Sequence, residues 1–354
     1  MASSSSSSQP FNSQMTLYVL VSWAFAAFGG LMFGYDVGIS GGVTAMDDFL
    51  EKFFPRVYQR KLVAKENNYC KYNDQYLQLF TSSLYLAALV ASFGASKACT
   101  ILGRRLTIRL ASILFIVAAV VSGSAPNLFL LIIGRILFGI GVGFGNESVP
   151  LFLSEVAPVQ YRGGVNILFQ LLVTVGILVA NIINYFVSTV HPYGWRIALG
   201  LAVIPAVVLF IGSFIITDTP PSLLERGKEA DAKSTLRKIR GVENVDEEFE
   251  QIREASEIAK RVKNPYRNLL KKSSFPMLFI SVIIQIFQQF TGINAVMFYA
   301  PVLFQTVGFR NDGSLLSAVI TGTINVVSTL IAVAAVDRFG RRKLLLQASV
   351  QMFL

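Results

Sequence analysis

The chain has 354 residues, of which 53% are hydrophobic, 28 are Phe and 15% are charged, more apolar surface than a soluble domain of this size can hide. It reads as a membrane protein. The formal net charge of +10 does not point to nucleic acid, because Lys and Arg bordering apolar runs are the ordinary signature of membrane topology; two cysteines, Cys70 and Cys99, exclude a disulfide-rich scaffold, and a single histidine, His191, argues against imidazole catalysis.

The first 15 residues, MASSSSSSQPFNSQM, carry no Lys or Arg ahead of the first apolar run. They lack the basic start of a cleaved signal peptide and are expected to form a disordered cytosolic tail. A span needs about 20 mostly apolar residues. Such runs fall near 16–40, 77–97, 107–124, 128–150, 164–187, 196–217, 275–304 and 315–336, which predicts eight spans. The apolar stretch Leu344–Leu354 is too short to cross and reads as the start of a ninth.

Loop charge gives the orientation. Lys97, Arg104, Arg105 and Arg109 follow the second run, Arg162 the fourth, and Arg338, Arg341, Arg342 and Lys343 the eighth. Under strict alternation all lie on one side, which makes that side, and the N-terminus, cytosolic; the loop of residues 41–76 is then outside. Residues 218–272 hold 24 charged residues, 13 basic and 11 acidic. Two stretches there, KEADAKSTLRKIRG and VDEEFEQIREASEIAKR, have the periodicity of amphipathic helices, so the segment is expected to be a cytosolic helical linker.

That linker separates two halves. LGRRL at 102–106 recurs as FGRRKL at 339–344, with glycines 237 residues apart, the length of a six-span half plus its linker. Parallel six-span repeats are a transporter architecture. The expected organisation is a tail over 1–15, a six-span half over 16–217, a linker over 218–274 and a truncated second half over 275–354.

Two constellations stand out inside the apolar runs. Asp36 lies about 6 Å inside the outer boundary of the first span and Arg135 about 10 Å below it on the fourth, at 1.5 Å per residue, so the two can pair. A charge inside a span is costly without a partner. The pair reads either as a permanent structural bridge or as a titrating switch in which the carboxylate takes a proton and releases the arginine. Glu147, deeper on the fourth span, reads as structural.

The second constellation is made of amides. Gln285, Gln288, Gln289 and Asn294 stand in QIFQQFTGINAVMFYAP of the seventh span, with Gln170 on the fifth and Asn325 on the eighth. Carboxamides donate and accept hydrogen bonds without charge, which suits a neutral polyhydroxylated ligand. Interhelical glue is the alternative. Thr291, Gly292 and Pro301, which loosen the helix beside them, favour a substrate-lining span. The glycines of GRILFGIGVGFG have no strand before them, so they let helices approach closely instead of cradling phosphate. NES at 146–148 matches a glycosylation acceptor only formally, because it lies at membrane depth.

Taken together, GGVTAMDDFLEKFFPRVY, NYCKYN, GRILFGIGVGF, VPLFLSEVAPVQYRGG, TPPSLLERG, FQQFTGINAVMFYAP and DRFGRRKLLLQASVQMF resemble the plant sugar transport proteins. These are monosaccharide/proton symporters of the sugar porter family in the major facilitator superfamily. The resemblance runs from about residue 16 to the last residue. It implies an all-α major facilitator fold in a multi-pass plasma-membrane protein. It implies Asp36 as proton donor and acceptor with Arg135 as its partner, and Gln170, Gln288, Gln289, Asn294 and Asn325 as hydrogen-bonding a hexose against which Phe33 packs. Arg104, Arg105, Glu155, Glu225, Arg338 and Arg341 match the charge network of the inner gate. Cys70 matches a lid cysteine that bonds to a cysteine of the second half.

The chain departs from the family in three places. Thr217 stands where proline is usual before the acidic residue, Glu147 replaces a glutamine, and spans nine to twelve are expected to be missing. The implied activity is proton-coupled import of monosaccharides by alternating access, with monosaccharide, proton and the lipid bilayer as partners. Neither a cofactor nor a metal nor nucleic acid is called for. A facilitative uniporter and a non-transporting sensor or truncated product are the alternatives. An enzyme is disfavoured, since no nucleophile and base pair or metal set is visible.

Overall fold

In the computed structural model, which describes residues 16–63, 74–158, 162–261, 268, 271, 274–294, 296, 304 and 311–353, the regular elements are all helices. The first six apolar runs become α1 (Leu17–Val43), α4 (Gln75–Ile101), α5 (Arg104–Ser124), α6 (Leu128–Val156), α7 (Arg162–Val187) and the pair α8 (Gly194–Gly200) and α9 (Val203–Ile215). A chain crossing lipid must satisfy its backbone within the segment, which is why long apolar runs become helices. Side chains at the starts take up exposed N–H groups: Thr16 accepts from Val19, Asp74 from Tyr76 and Leu77, and Asn127 from Leu130. The sixth run is one span by length but is interrupted at Leu201–Ala202, with Pro205 in the first turn of α9, where a missing N–H costs little.

Close backbone approach organises the bundle. Along α1, Gly30, Gly34 and Gly38 face the carbonyls of Phe169, Val173 and Ile177 on α7, each glycine one turn from the next. A Cβ at Gly34 would overlap the Val173 carbonyl oxygen. The glycines of α6 act in the same way: a Cβ at Gly143 would lie 2.8 Å from the Ala88 carbonyl of α4, and one at Gly141 3.2 Å from that of Ala111 on α5. Further contacts of α9 with α1 and α5 close the ring. Ile39, Phe115, Phe138 and Leu131 fill its interior, all fully buried.

The loop expected over residues 41–76 contains two helices, α2 (Asp47–Phe53) and α3 (Pro55–Val63). Phe49, Leu50, Phe53, Phe54 and Val57 recur on one face and are buried against the end of the bundle. Phe49 meets Phe80 of α4 at 5.4 Å between ring centroids, and Phe53 meets Trp195 of α8 edge-on at 5.1 Å. Cys70 lies outside the described residues; Cys99 is a buried free thiol.

Both amphipathic stretches of the linker are helical, as α11 (Glu229–Arg240) and α12 (Asp246–Arg261), preceded by a short α10 (Pro220–Glu225) that its Pro-Pro pair starts. Leu223, Leu224, Ala232, Leu236, Val245 and Phe249 form a small core of their own. The linker is tied to the start of α1, where Thr16 Oγ1 donates to the Ile239 carbonyl at 3.1 Å and Lys238 Nζ lies 4.3 Å from the Tyr18 ring centroid.

Beyond the linker stand α13 (Phe275–Phe290), α14 (Asn311–Phe339) and α15 (Arg341–Phe353). Among the described residues seven helices are long and apolar enough to cross a membrane, against the eight expected. The difference is α13, which has 16 residues. Most of 295–310, into which its run was expected to continue, falls outside the described residues. α14 packs on α7, where Asn181 Nδ2 donates to the Ala318 carbonyl at 3.2 Å. The stretch read as the start of a ninth span is the helix α15.

Candidate functional site

Asp36 and Arg135 meet near the ends of α1 and α6 that face α2. Arg135 Nη1 donates to Asp36 Oδ1 at 2.7 Å, and the two side chains are 1% and 0% exposed. Two ions so far from water require mutual attraction and further hydrogen bonds to hold them. Arg135 finds these in Ser40, whose Oγ accepts from Nη2 at 2.7 Å, and in the Phe80 ring, whose centroid lies 4.2 Å from the guanidinium carbon. Asp36 Oδ2 and Arg135 Nε are buried and make no hydrogen bond among the described residues. Tyr35, beside the aspartate, directs its hydroxyl away, donating to the Ala198 carbonyl at 2.8 Å. The site therefore holds one carboxylate with a free oxygen and one guanidinium that α1 engages through two residues a turn apart.

Phe33, one turn before this pair, is half-buried in a cluster with Val37, Phe169, Val173 and Ile177. Gln170, next to Phe169 on α7, is exposed. Gln288 and Gln289 on α13 are exposed, and Asn294 just beyond it donates from Nδ2 to Gln289 Oε1 at 3.0 Å. Asn325 is half-buried on α14. No residue of α13 is buried. The described residues therefore do not bring the α13 amides against Gln170 or Phe33, while Gln289 and Asn294 do meet each other.

A second charged assembly lies at the opposite end of the bundle. Arg104 Nη2 is 2.7 Å from Glu155 Oε1 and its Nη1 2.7 Å from Glu225 Oε2, which joins the start of α5 to the end of α6 and to α10. Glu155 also accepts from Thr219 Oγ1 at 2.5 Å. Asp218 accepts from the Arg104 backbone N–H at 3.1 Å and pairs with Arg226. These groups close over Gly103, whose φ of +90° and lack of a Cβ let Asp218 and Arg226 pass.

Arg105, expected among these charges, makes no ion pair among the described residues. It donates to the carbonyls of Ser213 and Phe214, both at 2.9 Å, at the C-terminal end of α9, where helix carbonyls lack intrahelical donors. Arg338 is exposed near the end of α14 and forms no ion pair among the described residues; the Arg341 side chain lies outside them.

Ser40, Asp218, Thr219 and Arg226 were not singled out from sequence. Ser40 is four residues after Asp36 and so shares its helix face, a signal that was available. Asp218 immediately precedes the motif TPPSLLERG and Arg226 is its eighth residue, and the fold brings the two side chains together over Gly103.

A bundle of membrane-length helices, with a buried charge pair beneath one end and an ion-pair lattice at the other, defines a polytopic membrane protein whose helices meet through paired charges. The family model described as "Sugar (and other) transporter" matches residues 23–354. Sugar transport protein 8 of Arabidopsis thaliana is 63% identical over 352 residues, covering 99% of this chain and 69% of that protein. Sugar transport protein MST4 of Oryza sativa subsp. japonica is 60% identical over 350 residues, covering 99% of this chain and 68% of that protein. Among solved structures, the major facilitator superfamily proton:xylose symporter XylE bound to 6-bromo-6-deoxy-D-glucose superposes with a TM-score of 0.80 at 27% identity, over 94% of this chain and 72% of that one. The chain belongs to the sugar (and other) transporter family and has the all-helical major facilitator fold.

Proposed function

We propose that this chain imports monosaccharides together with protons by alternating access, and that it is not an enzyme. The observation that carries the coupling is the Asp36–Arg135 pair, buried beneath one end of the bundle with one carboxylate oxygen that has no partner among the described residues. The similarity to sugar transport proteins and to a proton:xylose symporter supports the sugar and the proton as the transported pair.

In this reading a proton from outside adds to Asp36 Oδ2, its hold on Arg135 weakens, and the first half relaxes toward a shape that completes the sugar site. Gln170 and Phe33 from the first half, with Gln288, Gln289, Asn294 and Asn325 from the second, then enclose a hexose near the midplane, and the halves rock about it. Residues 16–217 are the first half, 218–274 the linker and 275–354 the part of the second half contained in this chain, with α13 as the start of the seventh of eight spans. Arg104, Glu155 and Glu225 are the inner-gate charges. The N-terminus and the linker then share the cytosolic side of a plasma-membrane protein, a reading supported by the basic connections and by the hydrogen bond that ties Thr16 to the linker. Each proton entering contributes about 2.3 kcal/mol per 100 mV and about 1.4 kcal/mol per unit of pH difference, enough to accumulate sugar.

Uptake of labelled glucose by cells lacking their own hexose carriers tests this. The expected result is uptake that is stronger at acidic than at alkaline outside pH and is lost in Asp36→Asn. Uptake indifferent to pH and retained in Asp36→Asn would leave a facilitative carrier with a structural ion pair. No uptake by a chain that has reached the membrane would overturn the transport reading.

A further inference from the structure

Ser40 is held by two short contacts that fix its role. Its hydroxyl donates to the main-chain carbonyl of Asp36 at 2.5 Å, so its proton is committed, and the oxygen then accepts from Arg135 Nη2 at 2.7 Å. Ser40 is 2% exposed. Arg135 spends Nη1 on Asp36 Oδ1 and has no partner at Nε. Ser40 is thus a neutral acceptor that the guanidinium holds in addition to the carboxylate.

We infer that Ser40 is a positioning residue that keeps Arg135 anchored to α1 after Asp36 has taken its proton, and that it thereby sets the pH at which the carrier loads. When the carboxylate becomes neutral, the guanidinium loses its counter-ion, and a buried cation with neither counter-ion nor acceptor is strongly disfavoured. The Ser40 oxygen, with the Phe80 ring, makes the protonated state attainable. The inference rests on the proton-coupling reading given above.

Other titratable groups also stand around Asp36. On α1 itself Tyr35 is engaged with Ala198. From α4, Tyr85 is within electrostatic range of both Asp36 and Arg135, and a phenol there is shared by the serine variants below. α7 faces this region with Val173, Ile177 and Asn184, the last donating to the Gly38 carbonyl at 3.1 Å. α9 contains no charged residue, and Arg196 of α8 lies over the rings of Tyr193 and Trp195.

The test is the pH profile of labelled glucose uptake, normalised to protein at the cell surface, for the parent chain, Ser40→Ala, Ser40→Thr and Asp36→Asn. Removing a hydrogen bond to a charged group shifts its coupled protonation by about one pH unit. Ser40→Ala is expected to move the half-maximal pH to the acid side by about that amount, and Ser40→Thr, which keeps the hydroxyl, to restore it toward the parent value. A uniform loss of uptake with an unmoved midpoint makes Ser40 merely structural and overturns the inference. Should Ser40→Ala fail to reach the surface, Ser40→Cys, a weaker acceptor, carries the test with a smaller shift in the same direction; failure of both to reach the surface also overturns it. Retained pH dependence in Asp36→Asn, or no uptake by the parent chain, sinks the coupling reading itself, and the inference with it.

Discussion

Arg104 bridges Glu155 and Glu225, at 2.7 Å to each, and the arginine side chain is only 6% exposed. One planar guanidinium joins the ends of two spans and the first helix of the linker, a task its fork geometry suits and a single ammonium does not. Arg104→Lys is therefore expected to lower the melting temperature and to reduce uptake severalfold. The two carboxylates are unequal: Glu155 is 14% exposed and held also by Thr219, while Glu225 is 36% exposed. Breaking a buried pair costs up to ~3–5 kcal/mol, and exposure erodes that. Glu155→Gln should destabilise more than Glu225→Gln in thermal melts of the detergent-solubilised protein; the reverse order would place the anchor in the linker.

Gly34 and Val173 set the distance between α1 and α7. A Cβ at Gly34 would overlap the Val173 carbonyl oxygen and stand 2.9 Å from its Cα, and neither atom can yield without moving the helix. At Gly145 on α6 the nearest atom to an added Cβ is Met32 Cε at 3.5 Å, an ordinary contact with a flexible tip. Gly34→Ala should cost at least the ~1–3 kcal/mol of an overpacked core, read as loss of monodisperse protein on size exclusion, and Gly145→Ala should elute as the parent does. Equal behaviour of the two would mean that the helix pair has slack.

Much of this arrangement was legible in the sequence, for physical reasons that differ by region. The six leading spans were visible because lipid demands long apolar segments, and Asp36 with Arg135 because a buried charge needs a partner and rise per residue puts the two at similar depth. α2 and α3 were missed because a loop with mixed charges hides its apolar spacing; Phe49, Phe53 and Val57 at intervals of four were the available sign. Arg105 was grouped with Arg104 through the motif resemblance they share, yet neighbouring helix residues point about 100° apart, so one reaches carboxylates and the other the carbonyls of α9. The amides of α13 gave a ligand chemistry but no geometry, because no residue of that helix is buried and its side chains are therefore not fixed against facing groups.

The linker helices offer a contrast between buried and exposed ion pairs. Arg240, 6% exposed, holds Glu248 through Nε and Nη2 and reaches the Val156 carbonyl of α6 at 3.4 Å. Lys233 and Asp246 pair at 2.6 Å in the open, and the hydrogen bond from Lys233 holds the Asp246 carboxyl below its usual range. A lowered carboxyl contributes stability above its unfolded value of roughly pH 4 and loses it as pH falls through the folded value. Arg240→Ala should thus lower the melting temperature by several degrees at neutral pH, and Asp246→Ala by far less, with the latter difference vanishing in acid and in high salt. A larger effect from Asp246→Ala at neutral pH would contradict this ranking.

Gln289 and Asn294 test what the amides are for. They hydrogen-bond each other at 3.0 Å from exposed and half-buried positions, an arrangement that either glues the loosened end of α13 or holds two carboxamides ready for hydroxyl groups. The two roles separate in kinetics. A residue that binds substrate as well as transition state raises KM when removed and leaves the maximal rate, and each hydrogen bond to a neutral hydroxyl is worth about 0.5–1.5 kcal/mol. Gln289→Ala is therefore expected to raise the KM for glucose by roughly 2- to 10-fold, with the half-maximal pH unmoved because no charge has changed near Asp36. A lower surface level with an unaltered KM would identify the pair as glue and remove Gln289 from the sugar site.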